Sequence, residues 1–142
     1  MSFAISDVAR ILAESGIETH DLNGALLVLL QTEKFHLADD AEKQMPVVLS
    51  VEEDFLLQVK TPNAFRVPGA VQRAVATQCL VYQSQDPLVR WCMDSSSGEL
   101  TANIDVPLKG ESPSAEQIIQ ALANLRMVLD RRYESLDRKS VV

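Results

Sequence analysis

The fold is decided by one stretch of the chain, 88-LVRWCMDSSSGELTANIDVPL-108. Apolar residues alternate with polar ones on both sides of the short polar segment 95–98. Its last residue, Gly98, can adopt the positive φ angle that such a connection requires. The pattern predicts an antiparallel hairpin with one buried face and one wetter face. The polar members of its second strand are Thr101, Asn103 and Asp105.

Three further strands are predicted upstream of this hairpin. Two β-rich runs, Val47–Val51 and Phe55–Val59, flank a charged segment and predict another hairpin. The apolar run Ala25–Leu30 follows a polar loop at 18–24 and fits either a short buried helix or a strand. We interpret it as a strand that continues through residue 37. The passage from 62 to 69, which is bracketed by prolines, is interpreted as irregular.

Two helices are predicted before the hairpin of 88–108. Apolar residues recur at helical spacing over 5–12, and Gly16 is placed to end that helix in a left-handed conformation. The second helix covers 70–85 and ends before Pro87, since the residue preceding a proline avoids helical backbone angles. Its expected core face comprises Val71, Ala74, Val75 and Tyr82.

A third helix is predicted after the hairpin. Ser114 and Gln117 have the spacing of a capping box, and the helix should end near Arg138, within a frayed tail at 136–142. Its apolar stripe comprises Ile118, Leu122, Leu125, Leu129, Tyr133 and Leu136. The resulting order, α-β-β-β-α-β-β-α, predicts an α+β fold of two layers. We expect an antiparallel sheet with helices packed on one face, in a single domain spanning 1–142.

Composition excludes several classes of protein. The 142 residues include 13 basic and 20 acidic side chains, which gives a net charge of −7. The longest apolar run, Ala25–Leu30, is far shorter than the ~20 residues of a membrane helix. The first residues lack the basic leader and the continuous apolar segment of a signal peptide. We therefore expect a cytoplasmic protein with reduced thiols that binds neither membranes nor nucleic acid, because its negative charge repels phosphate.

The sequence lacks the spacings typical of a catalytic, cofactor or metal site. His20 and His36 lie near acidic residues but have neither i, i+4 helical spacing nor a loop motif, so we interpret both as solvated loop residues. Cys79 and Cys92 are too few and too far apart for a zinc site. The serines at 95–97 lack the surroundings of a nucleophile. We predict no enzymatic activity, no cofactor and no metal.

The element order and several segments resemble the YbjN-like family, bacterial proteins labelled as candidate sensory-transduction regulators. The segments are Val89–Leu100, Ile104–Leu108 and the last helix as far as Tyr133. The resemblance covers Val71–Leu136, about half of the chain, and rests upstream on element order. It implies a fold similar to that of type III secretion chaperones, which are acidic homodimers that hold an extended segment of a client protein. It implies no catalytic residues, and a shared fold does not by itself establish chaperone activity.

We expect a non-enzymatic protein-binding module, chaperone-like or regulatory, that forms a homodimer. Such a protein can bind by strand addition at an open sheet edge, or by docking an apolar segment on an uncovered patch. The candidate partner-binding residues are Arg90, Thr101, Asn103, Asp105, Leu80, Ile119 and Met127. The alternative is a small-ligand sensor or an enzyme whose site is assembled from scattered polar residues around Trp91, Tyr82 and the histidines.

Overall fold

An antiparallel sheet of six strands lies against three helices in the part of the chain that the structure describes. The structure is a computed structural model that describes residues 4–37, 42–52, 56–108 and 113–140, with the backbone alone for 138–140. The helices are α1 (Ile5–Glu14), α2 (Gln72–Gln85) and α3 (Ala115–Ser140). The strands are β1 (His20–Asp21), β2 (Leu26–Gln31), β3 (Gln44–Glu52), β4 (Leu56–Arg66), β5 (Arg90–Met93) and β6 (Glu99–Pro107). A 3-10 turn, Gly69–Val71, leads into α2.

The sheet has the order β1-β2-β3-β4-β6-β5, and every neighbouring pair is antiparallel. β6 therefore lies between β4 and β5, and it joins the first four strands to the hairpin of 88–108. The register places Leu49 beside Val59 and Val59 beside Ile104, so that one face of the sheet is apolar across its centre. The α+β class, the antiparallel pairing and the one-sided placement of helices are confirmed.

The core lies between this apolar face and the three helices. Each helix contributes one side to it, because its buried residues recur three or four positions apart. The fully buried side chains include Leu12 of α1, Val75 of α2 and Leu125 of α3, together with Leu49 and Leu57 of the sheet. None of the helices in the described residues is long and apolar enough to cross a bilayer.

The local signals for helix ends are confirmed. Gly16 has a φ of 79°, and the N–H of Ile17 donates to the carbonyl of Leu12 at 2.9 Å, which closes the last turn of α1. At the start of α3, the N–H of Ser114 donates to Oε1 of Gln117 at 2.8 Å. The N–H of Gln117 donates back to Oγ of Ser114 at 3.1 Å. The capping box therefore forms as the sequence predicts.

The strand predicted from Ala25 to residue 37 is shorter in the structure. β2 ends at Gln31, and 32–37 form a loop that turns back over α3. The carboxylate of Asp130 holds this loop because it accepts three consecutive N–H groups, those of Glu33, Lys34 and Phe35, at 3.1, 3.1 and 2.9 Å. Phe35 is fully buried from a loop instead of from a strand. The helix alternative for 25–30 is excluded.

Two regions interpreted as loop or irregular contain strand. β1 lies inside the predicted loop 18–24 and pairs with β2. β4 runs through the passage after 62 as far as Arg66, with a shift of register between Thr61 and Phe65. Asn63 has a φ of 50° within this shift. The resulting bulge accommodates the neighbouring Pro62, which cannot donate a hydrogen bond to an adjacent strand.

The faces of α2 and α3 also differ in detail from the prediction. Ala74 is exposed, and Cys79 takes its place on the buried side of α2 beside Val75 and Tyr82. The single-sequence pattern missed this because alanine fits either face. Leu136, expected at the start of a frayed tail, is fully buried within α3, which continues to Ser140.

A buried carboxylate joins the end of α2 to α3. Asp86 is 6% exposed and accepts from Arg131 at 2.8 Å and from Arg132 at 2.9 to 3.0 Å. The guanidinium of Arg132 also lies 4.4 Å from the centre of the Tyr82 ring, and the Tyr82 hydroxyl donates to Ser135 at 2.7 Å. Asp86 therefore links the end of α2 to α3 and orients two arginines on α3.

We expect Asp86→Ala to lower the free energy of unfolding by about 2–4 kcal/mol, because it leaves two arginines without their buried partner. Arg131 is half exposed, which keeps the loss below that of a fully buried triad. The measurement is urea unfolding followed by circular dichroism. As a control, Lys34→Ala removes the exposed Lys34–Glu134 pair and should cost no more than about 0.5 kcal/mol. Equal losses for the two variants would contradict the assigned role of Asp86.

Gly98 closes the β5–β6 hairpin in a conformation that other residues rarely adopt. Its φ is 77°, and a Cβ at this position would overlap the carbonyl oxygen of Val67. The N–H of Val67 donates to the Gly98 carbonyl at 2.7 Å, so the two backbones must approach closely. The positive φ that the sequence predicts at Gly98 is confirmed.

We expect Gly98→Ala to destabilise the fold by at least about 2 kcal/mol, since it combines a strained backbone with a clash against the Val67 carbonyl just after β4. Gly69→Ala is the matched control, because a Cβ there has no atom within 4 Å. Its free energy of unfolding should stay within about 1 kcal/mol of the wild type. Urea titration of both variants measures the difference, and a tolerated alanine at 98 would show that the β4–β6 approach is loose.

Candidate partner-binding surface

One face of the sheet carries no helix in the described part of the chain. Its residues alternate with the buried ones along the strands. Most of them are half-buried, because neighbouring side chains on the same face cover them in part. The face divides into two halves of different chemistry. Strands β2 and β3 contribute four adjacent apolar side chains, with polar ones above and below them, whereas strands β4, β6 and β5 contribute mainly polar side chains.

The apolar half is formed where β2 pairs with β3. The register places Leu27 beside Val48 and Leu29 beside Pro46. Leu29 is 46% exposed, and the other three are partly exposed. A strand that covers a core with one face needs apolar residues at alternate positions only, so these four have no role in the core. We call Leu27, Leu29, Pro46 and Val48 the open apolar patch.

The polar half contains a cluster of three hydrogen-bonded side chains. Arg90 of β5 pairs with Asp105 of β6 at 3.3 Å. The side-chain amide of Asn103 donates to the other oxygen of the Asp105 carboxylate at 2.8 Å. Asn103 is only 4% exposed, because its neighbours close over it. The cluster therefore offers the Arg90 and Asp105 side chains to solvent and keeps Asn103 beneath them.

The edge of the sheet at β5 borders an apolar groove. The groove has a volume of about 270 Å³ and lies between α2 and the last two strands. Its walls include Leu80 and Ala76 of α2 and Trp91 and Met93 of β5. Leu80 is 74% exposed, the most exposed of the large apolar side chains described. Trp91 packs against Tyr82 at 6.3 Å between ring centres, which fixes the floor of the groove.

A larger, polar cavity of about 800 Å³ lies between the loop 31–34 and α3. Three of its charged side chains are engaged in contacts that hold the fold together. Asp130 binds the N–H groups of the loop, Lys34 pairs with Glu134 at 3.4 Å, and Arg131 pairs with Asp86. This arrangement favours a structural role for these side chains over recognition of a small ligand.

His36 lies beside this loop and is not the solvated residue that the sequence suggests. Its Nδ1 lies 2.8 Å from the carbonyl of Leu37, which can only accept, so Nδ1 carries the proton. Its Nε2 lies 3.0 Å from the hydroxyl of Tyr133. Burial raises the pKa of Tyr133, and the charge and hydrogen bond of Asp137 raise it further. These contacts attach the loop to α3.

The remaining candidates for chemistry are separated in space. His20 lies in β1, exposed, with Glu18 3.9 Å away, whereas His36 lies against α3. Cys79 is buried in the core, and Cys92 is an exposed thiol on the helix-free face. Within the described residues, no three side chains of the types that bind metals are grouped together.

The seven predicted partner-binding residues lie on two sides of the molecule. Arg90, Thr101, Asn103 and Asp105 share the helix-free face, where Thr101 also accepts the N–H of Asn63 at 3.2 Å. Leu80, Ile119 and Met127 lie on the outer faces of α2 and α3, with exposures of 74%, 38% and 50%. The structure therefore brings the first four together and places the other three elsewhere.

Sequence reasoning missed the open apolar patch. A signal for it was present, because the run Ala25–Leu30 is apolar at every position where a half-covered strand would alternate. Leu27 and Leu29 are the residues in excess. The pattern alone could not show which of its two faces the helices cover.

The geometry can be compared with that of known proteins. No protein-family model matches the sequence, and no curated protein matches it either. The crystal structure of YbjN from E. coli, a protein suggested to be a transcription regulator, matches with a TM-score of 0.67. The match covers 94% of this chain and 93% of that chain, at 11% sequence identity. The chain has the YbjN fold. The fold expected from the YbjN-like resemblance is thereby confirmed.

Asp94 organises the turn of the hairpin that carries Arg90 and Asp105. Its Oδ1 accepts from the Ser96 hydroxyl at 2.7 Å, from the Ser96 N–H at 2.9 Å and from the Ser97 N–H at 3.4 Å. The hydrogen bond of the Ser96 hydroxyl is the largest cause that lowers the pKa of Asp94 below its ordinary value of 3.8, and the backbone hydrogen bonds lower it further. The folded turn therefore favours the carboxylate.

We expect the carboxyl of Asp94 to titrate below 3.8 in an NMR pH titration of the folded protein. Its contribution to stability is complete above that pH and is lost as the pH falls through the lowered pKa. Ser96→Ala should shift the midpoint upward, because it removes the largest cause. Ser95→Ala is the control and should leave the midpoint in place. A midpoint that Ser96→Ala does not move would refute this account of the turn.

Proposed function

We propose that this protein is a cytoplasmic, non-enzymatic protein-binding module, chaperone-like or regulatory, that holds an extended apolar segment of a partner. The observation that carries the proposal is the open apolar patch. Leu27, Leu29, Pro46 and Val48 are grouped on a face that the described part of the chain leaves uncovered. Grouped apolar side chains on a sheet are typical of a contact surface, whereas isolated ones need no explanation.

The chemistry of the partner follows from the two halves of the face. An extended segment presents side chains at alternate positions, so its apolar residues can lie on the patch while its polar ones reach solvent. The chain carries a net charge of −7, which favours a segment with basic flanking residues. Arg90, Thr101 and Asp105 lie on the same face, beyond β4, and would bind polar positions of a segment that crosses the sheet. Asn103 acts from below, because it orients the Asp105 carboxylate.

Two observations support a non-enzymatic role. Asp130, Lys34 and Arg131 at the larger cavity make contacts within the fold, which favours a structural role for them over the binding of a small ligand. YbjN, which shares the fold, is suggested to be a regulator. A homodimer is part of the proposal.

We expect a display library of random peptides to yield binders that alternate apolar residues and carry Lys or Arg at their ends. Leu29→Lys should weaken the best binder by about 10- to 100-fold, because it places a charge in the centre of the patch. Isothermal titration calorimetry with the synthetic peptide measures the affinity. Leu29 is 46% exposed, so the variant keeps its fold.

Met127→Lys is the matched control, since Met127 is 50% exposed and lies on α3 at the polar cavity. Its affinity for the peptide should equal that of the wild type. Selection of no peptide, or a loss of affinity in Met127→Lys but not in Leu29→Lys, would overturn the proposed function. The second result would transfer binding to the α3 side of the molecule.

A further inference from the structure

Lys60 lies at the border of the open apolar patch, on the middle of the helix-free face. The register places it beside Val48 of β3 on one side and beside Asn103 of β6 on the other. Its side chain is partly buried. None of the ion pairs in the described part of the chain includes Lys60. This cation therefore stands out, because charged groups that leave water are normally paired.

The carboxylate of Asp105, two residues from Asn103 along β6, is already engaged on both of its oxygens. One oxygen pairs with Arg90 at 3.3 Å, and the other accepts the side-chain amide of Asn103 at 2.8 Å. The Oδ1 atom of Asn103 is buried and has no hydrogen-bond donor within the described residues. Neighbouring strands thus hold a cation without an anion and a buried acceptor without a donor.

A bound segment would change the surroundings of both groups. An apolar chain that covered Lys60 would remove water from the ammonium group and supply nothing in its place, which is unfavourable. An acidic side chain at the same point would pair with it. The ammonium group carries three donors, so it can bind a carboxylate and the Oδ1 atom of Asn103 together. Segments with an acid at this position are therefore favoured over segments that are apolar throughout.

We propose that Lys60 selects the partner segment, by binding an Asp or Glu that lies two positions from an apolar residue. The inference rests on the proposed function and adds a specificity-determining residue to the surface described there. It is compatible with basic residues at the ends of the segment, which lie beyond Lys60 and meet the net charge of −7 of the whole chain.

The spacing follows from the positions of Val48 and Pro46, two residues apart on β3. Extended chains that pack face to face lie within about 30° of one another, so a segment aligned with β3 places alternate side chains over these two residues. A Glu over Val48 places its methylene groups on the patch and reaches the Lys60 ammonium group with its carboxylate. The next inward-facing residue lies over Pro46 and Leu29, where an apolar side chain fits.

The first test compares two selections from the random-peptide display library, one on the wild type and one on Lys60→Glu. Peptides selected on the wild type should be enriched in Asp or Glu two positions from an apolar residue. Peptides selected on Lys60→Glu should carry Lys or Arg at that position instead. A structural role of Lys60 would not reverse the charge that the peptides carry. Thermal melts establish that the variant is folded.

The second test is a double-mutant cycle with the best peptide for the wild type, measured by isothermal titration calorimetry. Lys60→Gln should weaken binding by at least about 10-fold, and so should replacement of the acidic residue of the peptide by its amide. Both changes together should weaken it no more than the larger single change, because they remove the same contact. Lys34→Gln is the matched control, since it alters the net charge equally and lies at the polar cavity. Its affinity should stay within about 2-fold of the wild type.

Each result decides the inference, and the two kinds of failure can be told apart. Selection of no peptide on the wild type would overturn the proposed function together with this inference. Peptides that lose affinity in Leu29→Lys, but contain no acidic residue and bind Lys60→Gln as tightly as the wild type, would overturn the inference alone. Equal losses in Lys60→Gln and Lys34→Gln would also overturn it, because they would show a response to net charge instead of a contact.

Discussion

β4 and β6 lie side by side, although α2 and β5 separate them along the chain. This pairing joins the N-terminal strands to the C-terminal hairpin, and it places Val59 and Ile104 together under α3. At its end, Gly98 allows the Val67 backbone to approach within a hydrogen bond. Loss of this contact would separate the sheet into two parts, neither of which has enough apolar surface to bury.

Three helices of these lengths can cover one face of a six-stranded sheet, and the other face must then be stable in water. The chain achieves this with polar side chains on β4, β5 and β6, where Asp105 pairs with Arg90 and accepts a hydrogen bond from Asn103. It does not do so on β2 and β3, where the open apolar patch lies. Solubility would favour polar residues at these four positions, so their apolar character indicates a surface that is covered during function.

The parts of the fold that the sequence predicts are those determined over short distances along the chain. Gly98, the alternation in β6 and the capping box at Ser114 each act within a few residues. The loop 32–37 was misjudged because its conformation is set by Asp130, which lies about 95 residues away and binds three of its N–H groups. For the same reason, only half of the candidate site could be predicted from the sequence. Alternation identified its polar residues, but only the packing of the helices shows that Leu29 remains exposed.

The two edges of the sheet are treated differently, and the difference bears on assembly. At one end, β1 has two exposed polar residues and is followed by Asn23 and Gly24, whose φ angles of 50° and 95° turn the chain into β2. Such short, polar edges resist pairing with other chains. At the other end, β5 has four residues, with Trp91 and Met93 directing backbone groups outward beside an apolar groove. An edge of this kind invites pairing unless it is already paired.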